Sequence, residues 1–131
     1  DLHLCDRRQR QMCIRDSESI GPYSQAILCG NMLYTSGQIP IDPVTGNVDA
    51  TDIKGQTIQV MQNLSAILQA AGMSFGHVIK TTCFLKNMED FTAFNTIYSE
   101  YFTNHPARSC IAVRQLPKDV LVEIELIACK D

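Results

Sequence analysis

The sequence predicts an α+β fold: a two-layer sandwich of order ββαβαββ, with two helices on one face of a mostly antiparallel sheet. Two observations carry this. Two stretches repeat apolar residues at helical spacing, and five short runs have strand character, with Gly- or Pro-bearing turns between the elements. Ala26 to Cys29 and Met32 to Ser36 flank Gly30-Asn31, a two-residue turn signal, and read as a β-hairpin. The Pro/Asp/Gly-rich stretch 40–47 reads as a loop. From Asp52 to Ala71, residues Ile53, Thr57, Val60, Met61, Leu64, Ile67, Leu68 and Ala71 form one apolar face, with Asp52 or Thr51 as N-cap and Gly72 as left-handed terminator. His77 to Lys86 reads as a third strand. A second helix is expected from Met88–Asp90 to about Phe102, with Phe91, Phe94, Ile97 and Tyr98 inward. The closing strands, Ala107 to Leu116 and Val120 to Cys129, are expected to pair as a hairpin about Pro117-Lys118. Helices on one side leave the other sheet face to be covered by association.

Composition narrows the function. A chain of 131 residues, 45% apolar and 19% charged, is long enough to bury a core. No apolar run reaches the roughly eighteen residues of a membrane span. A net charge of −3 argues against a domain held to nucleic acid by phosphate contacts. Of the six cysteines, Cys29, Cys83, Cys110 and Cys129 lie in apolar runs, without CxxC pairs or Cys/His clusters. Reduced, packed thiols, a cytoplasmic setting and no metal site are therefore expected; mitochondria are the alternative in a eukaryote.

Residues 1–17 differ from the rest. Arg7, Arg8, Arg10 and Arg15 crowd them, whereas only Arg108 and Arg114 occur elsewhere. This segment is expected to be a loosely attached or artefactual leader to the domain spanning 18–131.

The chemistry-bearing residues concentrate in the last two strands. Glu123 and Glu125 share one strand face, and Arg108, Cys110, Ala112 and Arg114 share another. In a hairpin, the two arginines would be diagonal neighbours of the two carboxylates. From spacing alone that arrangement reads first as a solvated ion-pair ladder, and alternatively as a site where Arg108 takes an anion and a Glu handles water. A packed thiol is the simpler reading of Cys110. Tyr23, Ser36-Gly37 and Asn95 can each be read as packing, bend or surface residues, or as the lining of a cleft.

The motifs Ile20-Gly-Pro-Tyr-Ser-Gln25, Thr35-Ser-Gly-Gln-Ile-Pro40, Lys80-Thr-Thr82, Phe84-Leu-Lys86 and Pro106-Ala-Arg-Ser-Cys110 occur in order. With Leu116-Pro-Lys-Asp119 and Val122-Glu-Ile-Glu125, they resemble the RidA (YjgF) family over about residues 20–130. The segment Tyr101 to Pro106 is about one residue shorter than is usual there. The resemblance implies a chorismate-mutase-like fold and a homotrimer with a central barrel and clefts between subunits. It implies hydrolysis of 2-iminobutanoate and 2-iminopropanoate to 2-oxo acids and ammonia, without metal or cofactor. By the same resemblance, Arg108 grips the substrate carboxylate and Glu123 positions the hydrolytic water, beside the Cys110 backbone. Tyr23, Gly37 and Asn95 line the cleft, with Ser36 at its edge. The rival functions are a ribonuclease and a non-catalytic trimer that binds small carboxylates or acts as a chaperone.

Overall fold

The computed structural model describes residues 2–4, 11–14 and 23–131. Strands β3 (Ala26–Cys29) and β4 (Met32–Thr35) form the expected hairpin. Gly30 at its turn has φ +63°, a left-handed value that glycine adopts without a Cβ penalty. Helix α1 (Ile53–Ala70) follows the long loop, and Asp52 caps it by accepting from the Gly55 N–H at 3.0 Å. Its far end closes on Gly72, φ +72°, with Gly72 N–H donating to Gln69 O and Met73 N–H to Leu68 O. Strand β5 (Val78–Leu85), helix α2 (Phe91–Tyr101), strand β6 (Ala107–Ala112) and strand β7 (Val122–Cys129) complete the order.

These five strands run β3-β4-β7-β5-β6, all antiparallel except β5 and β6. Strands β1 (Leu2–Leu4) and β2 (Gln11–Ile14) extend the sheet beyond β3. The expectation of a loose leader over 1–17 otherwise falls on residues outside those described.

Both helices pack on one face. Val60, Met61, Leu64, Phe94, Leu85 and Ile124 are fully buried between the layers. The other face is half-exposed and partly apolar, with Tyr34 at 45% and Ile79 and Ile111 at 48%.

The closing hairpin expected about Pro117-Lys118 does not form. β7 lies between β4 and β5, and β6 stands at the sheet edge beside β5, parallel to it. The reason lies in the chain's own pattern. Helix α2 joins β5 to β6, and a helical crossover delivers the next strand parallel. β7 alternates four strong apolar residues that are buried, Val122, Ile124, Leu126 and Ala128, and suits the sheet centre. Ala107–Ala112 has no fully buried position and suits an edge. Its pairing also stops at Ala112, short of the expected Leu116, because β5 ends opposite it at Leu85. The linker instead makes a single 3-10 turn, Pro117–Asp119, in which Lys118 and Asp119 adopt φ +54° and +55°.

Candidate active site

The altered strand order separates the two charged residues expected to act together. Arg108 is the register partner of Thr81, whose side chain is buried under the helices. Glu123 is the partner of Phe84, on the open face. Arg108 and Glu123 therefore project from opposite faces of one sheet. Among the described residues no ion pair joins Arg108 or Arg114 to Glu123 or Glu125, so the expected ladder is absent; the surface pair is Lys86–Asp119, at 3.0 Å.

On the open face, Glu123 and Glu125 line a cleft of about 540 Å³ with Tyr23, Ser36, Gly37, Ile39 and Pro117. Local hydrogen bonding builds this wall. Gln38 and Ile124 exchange backbone bonds of 2.8 and 3.1 Å, which presses the 36–39 segment against β7. The buried Gln38 amide is held by Gln25 Oε1 at 2.8 Å, and Ser36 Oγ donates to Ser24 O at 2.6 Å. Asn63 on α1 donates to the carbonyls of Ile39 and Ile41 and ties the loop to the helix layer. The missing side chain at Gly37 leaves room for the Glu123 carboxylate, since a Cβ there would collide with Glu123 Oε2. Burial, with the like charge of Glu125 adding to it, raises the Glu123 carboxyl above its usual range.

On the helix face, Arg108 is held from two sides. Its NH1 donates to Asn95 Oδ1 at 2.7 Å. Its guanidinium lies 4.7 Å from the Tyr98 ring centroid and 5.5 Å from that of Phe91. Tyr98 is itself fixed by a 2.7 Å hydrogen bond with Thr81. A guanidinium carries five donors in a planar fork, so the fork retains donors for an anion. Cys110, next on this face, is half-buried and register-paired with Cys83.

The chain thus brings Tyr23, Ser36, Gly37 and Glu123 together on one side, and Arg108, Asn95 and Cys110 on the other. Sequence reasoning missed Phe91 and Tyr98 as supports of Arg108, because their helical spacing reads as core. It also missed Ile39 and Pro117 as cleft walls. Of the thiols expected to pack inside, Cys29 is exposed at the end of β3; Cys29, Cys83, Cys110 and Cys129 are all free thiols. Among the described residues no set of three His, Cys, Asp or Glu converges as metal ligands, and no helix is long and apolar enough to cross a membrane.

Comparison with known proteins gives a consistent family. The profile of the Endoribonuclease L-PSP family matches residues 13–130. A RutC family protein of Pyrococcus horikoshii is 58% identical over 113 residues, covering 86% of this chain and 90% of its own. The 2-iminobutanoate/2-iminopropanoate deaminase of Escherichia coli K12 is 49% identical over 116 residues, with coverage of 86% and 90%. A solved Rid-family structure from Yersinia pestis superposes with a TM-score of 0.88 at 45% identity, covering 92% of this chain and 99% of its own. Motifs, layer order and these relatives agree: the chain belongs to the Endoribonuclease L-PSP (YjgF/RidA) family.

Proposed function

We propose that the protein hydrolyses small 2-imino acids, of the 2-iminobutanoate and 2-iminopropanoate class, to 2-oxo acids and ammonia. The site is completed between copies in a homotrimer. The observation that carries this reading is the division of one chain into two half-sites: a braced Arg108 on one face and Glu123 in an open cleft on the other. A neighbouring copy seated on the half-exposed apolar face brings the Arg108 of one chain to the Glu123 of another. The Arg108 fork then holds the substrate carboxylate. Glu123 accepts a proton as water attacks the electrophilic imine carbon, and the resulting carbinolamine expels ammonia as the carbonyl forms. The test is ammonia release from imines generated in situ by a dehydratase, together with light scattering. Accelerated release by a trimer supports the reading. A monomer, or release at the uncatalysed rate, overturns it; cleavage of RNA by the same preparation would favour the ribonuclease suggested by the family name.

Two further outcomes follow from the Glu123 wall. Gly37→Ala should fold, because the group in its way is the end of a flexible side chain, yet it displaces the carboxylate. Turnover is expected to fall about tenfold or more, since positioning errors of about 1 Å have large effects on rate. Circular dichroism checks that the variant folds, and ammonia release measures its turnover.

The pH profile is the other. A base must be ionised, so the acid limb of kcat is expected above the ordinary Glu range, in the direction in which Glu123 is raised. Glu125→Gln removes the smaller of the two causes and should move that limb part of the way down. The sign for stability is opposite to the usual carboxylate case. Glu123 binds its proton more tightly folded than unfolded, so its contribution is present at low pH. That contribution is lost as pH rises from the unfolded value through the folded one.

A further inference from the structure

Beneath α2 lies a pair of thiols whose sulfur chemistry the imine reaction does not use. Cys83 in β5 and Cys110 in β6 are direct register partners in the parallel pair, with both side chains on the helix face. Adjacent strands lie about 4.8 Å apart, within the Cα range of about 4.4–6.8 Å over which a disulfide closes. Cys83 Sγ lies 4.0 Å from Thr81 Oγ1, the neighbouring position on the same strand face. Their surroundings are unequal. Cys83 is fully buried, whereas Cys110 is half-buried and two residues from Arg108 on the same strand face.

We propose that Cys110 and Cys83 form a reversible, peroxide-oxidised dithiol, with Cys110 as the thiol oxidised first and Cys83 as the one that resolves it. The electrostatics divide the roles in the same way. The neighbouring Cys83 thiol and the Arg108 charge lower Cys110 and favour its thiolate, while Cys110 and burial raise Cys83 and keep it protonated. The Cys110 thiolate attacks one oxygen of hydrogen peroxide, breaking the O–O bond. Its sulfur is oxidised to a sulfenic acid, and the departing hydroxide takes a proton to become water. Cys83 Sγ then displaces the sulfenic hydroxyl, which leaves as a second water with the Cys83 proton, and the S–S bond forms. Directly opposed strand positions hold their Cβ atoms farther apart than the roughly 3.8 Å of a relaxed disulfide, so the bond is strained and a small thiol reductant reopens it.

The experiment is independent of imine turnover, because it reads a covalent bond. The full chain is reduced, freed of reductant, treated with a small molar excess of hydrogen peroxide, alkylated and digested with trypsin. Residues 81–86 and 109–114 are separate tryptic peptides, each with one of the two cysteines. The expected result is one linked species joining them, loss of two alkylatable thiols per chain, and recovery of both with dithiothreitol. In Cys83→Ser the link is lost and Cys110 accumulates as a dimedone-reactive sulfenic acid. Oxidation of Cys110 to sulfinic acid while Cys83 stays alkylatable overturns the proposal. So does consumption of the exposed Cys29 with both partners untouched. The wild-type digest decides even if a variant fails to fold.

Discussion

Arg108→Ala is expected to lower kcat/KM for 2-iminobutanoate about a hundredfold. Charge-assisted hydrogen bonds contribute about 1.5–3 kcal/mol each, and losing two amounts to at least about two powers of ten. The loss should appear chiefly in KM, and equally in the affinity for an unreactive 2-oxo acid measured by calorimetry, because the carboxylate is held before and during reaction. Arg108→Lys keeps the charge but loses the planar fork that Asn95 and Tyr98 brace, so it should recover only about a tenth of the activity. Glu123→Gln should act on the other parameter, lowering kcat by about 10²–10³ and sparing 2-oxo acid binding. Each variant is compared as a folded oligomer of wild-type size. Wild-type rates in folded Arg108→Ala would reject the deaminase reading of this residue.

The second large effect is restoration rather than loss. Arg108→Ala and Glu123→Gln are each expected to be nearly inactive alone. Mixed as unfolded chains and refolded together at equal amounts, they should regain about a quarter of wild-type activity. A shared site is intact when its Arg comes from one variant and its Glu from the other, which is one pairing in about four. Recovery near zero, with mixed oligomers present, would place both residues' work within one chain. That outcome contradicts the division drawn from the opposite sheet faces of Arg108 and Glu123.

Much of the fold was legible because its signals are local. The cap at Asp52, the terminator at Gly72 and the Gly30 turn each depend on a few neighbouring residues, and all three appear where the sequence places them. The pairing of the last strands was not legible. Leu116-Pro-Lys-Asp119 looks like a hairpin turn, but strand neighbours are chosen by long-range burial, and β7 buries more in the centre than beside β6. The error carried into the site. With the hairpin assumed, Arg108 and Glu123 seem to be cross-strand neighbours; with β7 between β4 and β5, they look out from opposite faces. Asn95 could be read as a surface residue until α2 was seen to cross over Arg108, because nothing in the spacing of a helix says which strand it covers.

The placement of the two half-sites gives them unequal freedom to vary. Glu123 sits on a central strand whose flanking residues, Val122 and Ile124, have no exposed surface, so changes around it disturb the core. Arg108 sits on an edge strand whose neighbours Ala107 and Ser109 are exposed within the single chain, so exchanges there act on the contact between copies rather than on the chain's own core. On the proposed function, the residue assigned to water is therefore anchored to the core, while the one assigned to the carboxylate stands where the assembly, not the core, sets the limits on change. Descendants of such a scaffold can change which acids they accept without relearning how to fold.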